Sequence, residues 1–246
     1  MTGRTERESG AGRGAGSGLS TSIEIDDVEV QLNGRRVLHD VSVRLDQRRI
    51  AVIGANGSGK STFARLLNGL VAPSRGRVVV HGIDVARDRR AVRDRVGFVF
   101  THPDAQILMP TVVEDVSLSL RGLGLSRAAI AERVSAVLGE YGLSGHADAP
   151  AYSLSGGQKQ LLALAAVLVR EPQLVVADEP TTLLDLGNAR RISDLLVDRL
   201  AAQTIIVTHD LDLARRCEIA LLFDAGRLTA VDEPGAVVER YRRQQA

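Results

Sequence analysis

Apolar and polar residues alternate through Ile23-Glu24-Ile25 and Val28-Glu29-Val30-Gln31-Leu32, and again through Val41-Ser42-Val43-Arg44-Leu45. A period of two predicts strands buried on one face, and Asn33-Gly34 between the runs supplies a tight turn, so an antiparallel hairpin is expected. Ile50-Ala51-Val52-Ile53 drops the alternation, as a strand buried on both faces does, and leads into a glycine-rich loop. Phe63, Leu66, Leu67 and Leu70 then recur at helical spacing, which gives strand, loop, helix. Short strands are expected at 77–80 and 96–100. Between 111 and 150 the period becomes helical, with Ile130, Val134, Val137, Leu138 and Tyr141 on one face and Ser126 placed as an N-cap. Leu174-Val175-Val176-Ala177 and Ile205-Ile206-Val207 read as buried parallel strands separated by crossover helices. Residues 239–245 read as a solvated helix end.

Composition narrows the picture. A chain of 246 residues makes one large domain or two small ones. Cys217 is the single cysteine, which excludes intrachain disulfides and multi-cysteine metal sites and fits a reducing, cytosolic setting. With 31 basic against 30 acidic residues the net charge is +1, an argument against a nucleic-acid partner or a strongly basic membrane-binding face. The longest apolar run, 161–169, is far short of the about 20 residues that span a bilayer. Residues 1–22 hold glycine, arginine and serine in place of an apolar signal core and are expected to be a disordered tail; 241–246 are expected to be a second tail. Among the basic residues only Lys60 and Lys159 are lysines, so a compact ammonium charge is expected to matter at Lys60, where a guanidinium fork would not fit.

Lys60 belongs to Gly54-Ala55-Asn56-Gly57-Ser58-Gly59-Lys60-Ser61, with Thr62 following: a P-loop with a buried strand before it and a helix after it. Small residues let successive backbone N–H groups curl around phosphates, the helix N-terminus adds its positive end, and Lys60 supplies a movable charge. Ser61 is then placed to ligate Mg²⁺. The strand 174–177 ends in Asp178 and Glu179, where an α/β sheet binds ligands. Asp178 suits Mg²⁺, and Glu179, one position on, suits the base that polarises an attacking water.

Leu154-Ser155-Gly156-Gly157-Gln158 opens a second helix, apolar all round and therefore buried, whose glycines leave N-terminal N–H groups bare for an anion. Here the chain resembles the nucleotide-binding subunits of ABC transporters, and the likeness runs from about residue 23 to 240. It implies an α/β P-loop core with a parallel sheet, an N-terminal antiparallel β-subdomain and an inserted helical subdomain near 111–150. It also makes Ser155, Gly156, Gly157 and Gln158 the signature that contacts the ATP of a second copy, Asp185 in Leu183-Leu184-Asp185 the D-loop residue, and His209 in Thr208-His209-Asp210 the γ-phosphate switch. His39, His81, His102 and His146 share no ligand spacing and receive no role.

Two positions depart from the family pattern. Leu32 stands where an aromatic normally stacks on adenine, so the base is expected on an aliphatic face. Thr101 in Phe100-Thr101-His102-Pro103-Asp104 stands where a glutamine normally reaches Mg²⁺, with Gln106 five residues on, so either residue is a candidate for that role. The same loop, through Pro103-Asp104-Ala105-Gln106, Pro110-Thr111-Val112 and Glu114-Asp115-Val116, looks like the ATPases of energy-coupling-factor importers, biotin systems first and cobalt or nickel systems second. The resemblance implies an ATP- and Mg²⁺-dependent ATPase, dimeric with itself or a related subunit, peripheral on the cytoplasmic face of the cell membrane and driving an integral membrane partner. The alternative is an ABC ATPase of DNA repair, chromosomes or ribosomes, but the coiled coils, zinc cysteines or paired ATPase domains usual there are missing from this sequence.

Overall fold

The computed structural model describes residues 21–245, so nearly all of the expected N-terminal tail lies outside it. At its near edge Ser22 is buried, and its carbonyl accepts from His81 N at 2.9 Å. Strands β1 (Ile23–Leu32) and β2 (Arg35–Leu45) form the expected hairpin, turning through Asn33 and Gly34, both at positive φ. The apolar phase slips by one residue between Ile25 and Val28. A register shift with Asp27 at φ 47° absorbs the slip, so Ile23, Ile25, Val28 and Val30 all face inward. A four-stranded antiparallel sheet results, in the order β2-β1-β4-β5, with β4 at Arg75–Val80 and β5 at Ile83–Asp84.

The second sheet has six strands. β3 (Arg49–Gly54) lies between β8 (Gln203–Val207) and β9 (Ile219–Asp224); β7 (Leu174–Asp178) and then β6 (Val96–Val99) follow beyond β8, and β10 (Arg227–Asp232) closes the other edge. Only the β9–β10 pair is antiparallel. Successive residues of the central strands serve two cores. Ile50, Val52, Leu174, Val176, Ile205 and Val207 pack toward the antiparallel sheet and helix α1 (Lys60–Leu67), whereas Ala51, Ile53, Val175, Ala177 and Ile206 pack toward the helices on the other side. Burial on both faces is why these strands read as continuous apolar runs.

Helix α2 (Arg89–Arg95) precedes β6; α3 (Val112–Ser119) and α4 (Arg127–Glu140) follow it, and α5 (Gly156–Leu168) runs into β7. The α3–α4 segment is pinched at its base, where Thr111 and Pro150 form a bridge and Ala151 N donates to Pro110 O at 2.8 Å. Ser126 caps α4 through a bond from Ala129 N, and Val134, Val137, Leu138 and Tyr141 are buried on its inner face. Helices α6 (Leu186–Asp194), α7 (Leu211–Arg215) and α8 (Pro234–Gln245) complete the order, so the chain remains helical through 241–245. Two local expectations are corrected. Leu70 lies beyond the end of α1, after Gly69 at positive φ, and is exposed; β6 stops at Val99, one residue early, because Phe100 N turns to the Gln106 side chain.

Candidate functional site

The strand order sets β3, β8 and β7 side by side, so the loop after β3, the pair that ends β7 and the residues after β8 meet at one carboxyl edge of the sheet. There a pocket of about 240 Å³ is lined by Val37, Asn56, Gly57, Ser58, Gly59, Lys60, Ser61, Thr62, Glu179 and His209. Gly54 needs its missing side chain. Its φ is 146°, and a Cβ would overlap the carbonyl oxygen of Phe223 on the adjacent strand. Gly59, at φ 103°, brings the loop against Leu38 and leads directly into α1.

Lys60 is buried and curls back into the loop, its Nζ donating to Gly54 O at 2.8 Å and Ala55 O at 2.9 Å. Burial pulls its pKa below the ordinary lysine value, and the nearby Glu179 and Asp178 charges oppose that shift. Ser61 Oγ donates to Asp178 Oδ1 at 2.9 Å, pairing a hydroxyl and a carboxylate as an oxygen-seeking cation requires. Burial pushes the Asp178 carboxyl above the usual carboxylate range, against the Ser61 bond and the Arg65 and Lys60 charges.

Glu179 adopts φ 53°, unusual for a side-chain-bearing residue, and this turns its carboxylate back toward the pocket. Oε2 accepts from Thr182 Oγ1 at 2.8 Å and from His209 N at 3.3 Å. His209 Nε2 lies 3.1 Å from Oε1 but out of line, so Oε1 is a buried acceptor with no hydrogen-bond partner. Ser58 Oγ, on the same pocket wall, is likewise unpartnered. Donors curled into a cradle, a hydroxyl–carboxylate pair and two orphaned polar atoms suit a phosphate chain with a divalent cation. Among the described residues no group of three or more His, Cys, Asp or Glu side chains forms a metal site without such a ligand.

Leu32, Thr101 and Gln106 lie outside this pocket. Leu32 is exposed at the hairpin tip, opposite Arg35, and is absent from the pocket lining; Val37 supplies the aliphatic wall beside the P-loop. The Thr101 hydroxyl donates to the backbone carbonyl of Asp178 at 2.9 Å, so it touches the end of β7 but neither Ser61 nor the Asp178 carboxylate. Gln106 is fully engaged, its Oε1 accepting from Phe100 N at 3.2 Å and its Nε2 donating to Ala163 O at 3.1 Å. It therefore pins the end of β6 to the middle of α5.

The segment 155–158 contributes nothing to this pocket. Ser155 caps α5 in a reciprocal arrangement: Ser155 Oγ accepts from Gln158 N, and Gln158 Oε1 accepts from Ser155 N at 2.9 Å. The first bond within the helix is Lys159 N to Ser155 O, which leaves the N–H groups of Gly156 and Gly157 ahead of the ladder. Gly157 has a steric reason as well, since a Cβ there would overlap the Asn188 amide. Asp185 caps α6 through Asn188 N and Nδ2, and these bonds hold its carboxyl below the usual range. Lys159 Nζ pairs with Asp104 Oδ1 at 2.7 Å. The sequence reading missed Val37, Thr182 and Asn188, each of which acts through the fold and carries no motif of its own.

Comparison with known proteins agrees with this geometry. The ABC transporter family model matches residues 38–182. A protein of Deinococcus radiodurans, named only provisionally as an ABC transporter ATP-binding protein, is 48% identical over 222 residues, covering 90% of this chain and 98% of its own length. The biotin transport ATP-binding protein BioM of Rhizobium etli is 43% identical over 222 residues, again 90% and 98% of the two chains. Among solved structures, cbiO1 of Clostridium perfringens, part of the ABC transporter complex cbiONQ, superimposes with a TM-score of 0.79 at 30% identity, over 91% of this chain and 93% of that one.

Proposed function

The chain belongs to the ABC transporter ATP-binding family and is an ATPase of that family, and on that premise we propose that it powers a membrane importer, with biotin the favoured cargo and cobalt or nickel the second choice. The carrying observation for hydrolysis is the Glu179 carboxylate beside the P-loop, held by Thr182 and His209 N, whose other oxygen lies 3.1 Å from His209 Nε2 and accepts no hydrogen bond. That oxygen orients an attacking water and takes its proton. Lys60 leaves the carbonyls of Gly54 and Ala55 for the β- and γ-phosphates, and His209 faces the γ-phosphate. Ser61 and Asp178 would hold Mg²⁺, which would supply positive charge against the phosphates. The Thr101 hydroxyl keeps lone pairs free while bonded to Asp178 O, so its part in the metal's surroundings runs through water or through β7.

A dimer is the working unit in this reading, because the pocket holding Lys60 lacks the helix end at Ser155, Gly156, Gly157 and Gln158. A second copy supplies it. Leu186, 91% exposed beside the capping Asp185, supports a covered face there. No helix among the described residues is long and apolar enough to cross a membrane; in this reading a separate integral membrane partner carries the cargo. A groove lined by Asp104, Ile107, Leu108, Met109, Pro110 and Tyr152 suits a cytoplasmic segment of that partner, with Leu108 and Tyr152 largely exposed. The loop is braced for the purpose, since buried Asp115 Oδ1 accepts from Leu108 N at 2.7 Å and Met109 N at 3.0 Å.

Biotin is favoured because the 43%-identical relative is a biotin transport protein and the match spans both chains. The test is to purify the complex from detergent-extracted membranes, identify the co-purifying proteins, and measure ATP-dependent uptake of labelled biotin, cobalt and nickel in vesicles. Uptake of none of the three, or recovery without an integral membrane protein, overturns the proposal.

A further inference from the structure

The signature segment makes one contact that no motif assigns. Gln158 commits its amide oxygen to Ser155 N, and its amide nitrogen lies 2.9 Å from Nε2 of His146. An amide nitrogen only donates, so His146 Nε2 accepts, which places the ring proton on Nδ1. His146 is itself fixed by a short 3₁₀ turn (Ser144–His146): its N donates to Leu143 O and its carbonyl accepts from Ala149 N, both at 2.9 Å.

The Ser155 N–H decides which way round the Gln158 amide sits, and His146 anchors the amide nitrogen that this orientation turns toward it. Turned over, its nitrogen would face Ser155 N–H, donor against donor, and the reciprocal half of the cap would be lost. In the observed orientation Ser155 Oγ accepts from Gln158 N, so the hydroxyl proton is left to donate. The N–H groups of Gly156 and Gly157 stay at the open end of the helix, ahead of its first internal bond.

We propose that His146 is a positioning residue of the composite nucleotide site: through the Gln158 amide it holds the signature cap in the orientation that presents Ser155 and the two glycine N–H groups to the phosphate bound by a second copy. The inference rests on the reading that the signature completes the partner copy's site.

The test uses the full chain carrying Glu179→Gln, with dimer formation followed by size-exclusion chromatography over a range of ATP concentrations. His146→Phe keeps a ring and removes the acceptor; His146→Gln restores an acceptor on a flexible stem. His146→Phe is expected to raise the ATP concentration for half-maximal dimerisation roughly three- to ten-fold, the worth of one net hydrogen bond. His146→Gln is expected to recover the parent's ATP dependence, and His146→Phe to melt only about 2–4 °C below the parent, the cost of one bond, so that it stays folded at the assay temperature. If His146→Phe dimerises at the parent's ATP concentrations, or if His146→Gln is equally defective, the proposal is overturned. A lower melting point in His146→Phe that accounts for its weaker assembly also overturns it. Failure of the Glu179→Gln parent to dimerise with ATP overturns the composite-site reading itself, and this inference with it.

Discussion

Removing the Gln106 side chain separates the two candidates for the loop after β6. In the structure that side chain accepts from Phe100 N and donates to Ala163 O, at 3.2 and 3.1 Å, and so ties a sheet edge to the signature helix. Gln106→Ala deletes both bonds, each worth about 1 kcal/mol net, for a total loss of about 2 kcal/mol. In a chain of this size about 1 kcal/mol moves the melting temperature by about 2–4 °C, so a fall of about 4–8 °C is expected. The Ser61–Asp178 pair and the Glu179 contacts do not involve Gln106, so the isolated subunit is expected to keep hydrolysing ATP well below its melting point. Stimulation by the membrane partner should weaken, because Gln106 leads straight into Ile107 and Leu108 of the proposed docking groove. Calorimetry, with ATPase rates measured with and without the reconstituted partner, reads all three effects. An unchanged melting temperature together with abolished hydrolysis in the isolated subunit would contradict this role for Gln106. Gln106 would then leave Ala163 to reach the metal, and a silent Thr101→Ala would complete the reassignment.

Glu179→Gln is expected to bind ATP, hydrolyse it about 10² to 10⁴ times more slowly and accumulate as an ATP-bound dimer, as read by phosphate release and sizing; a monomer with normal turnover would contradict the assignment. Asp178→Asn is expected to raise the melting temperature of the nucleotide-free protein while ending Mg²⁺-dependent hydrolysis. The sign follows from burial: a folded-state carboxyl pKa above the ordinary 3.8 contributes stability that is full below that pH and is lost as pH rises through the folded value, so removing the ionisable group helps at neutral pH. Melting curves from acid to neutral pH test this, and a variant less stable at every pH would sink it. With Leu32 outside the pocket and only Val37 on its wall beside the P-loop, no phenylalanine, tyrosine or tryptophan among the lining residues stacks on the base, and weak discrimination between ATP and GTP is expected. Calorimetric titration showing strong rejection of GTP by the wild type would mean that another residue reads the base.

Much of this protein was legible in the chain because its chemistry is built from contiguous backbone. A loop that cradles phosphate needs small residues in a row, a helix start and a preceding buried strand, so Gly54 through Ser61 announced itself, as did Asp178 and Glu179 at a strand end and the glycine-rich helix start from Ser155 to Gln158. Alternation and apolar runs located the hairpin and the central strands for the same reason, since each local period reports which faces are buried.

Features that need two distant segments to touch were set by the folded arrangement. The strand order brings β3, β8 and β7 into neighbouring positions, and only then does Ser61 meet Asp178 and His209 meet Glu179. Thr101 and Gln106 could not be ranked from their spacing, because their partners, Asp178 O and Ala163 O, are backbone carbonyls far away in the chain. Carbonyls are present at every residue, so no sequence pattern marks the one that will be used. His146 received no role from its spacing for a like reason: an imidazole becomes a positioning group only when a short turn sets it against an amide whose other end is already committed. Gly157 shows both sources at once, a bare N–H written in the sequence and a contact with Asn188 that packing alone imposes.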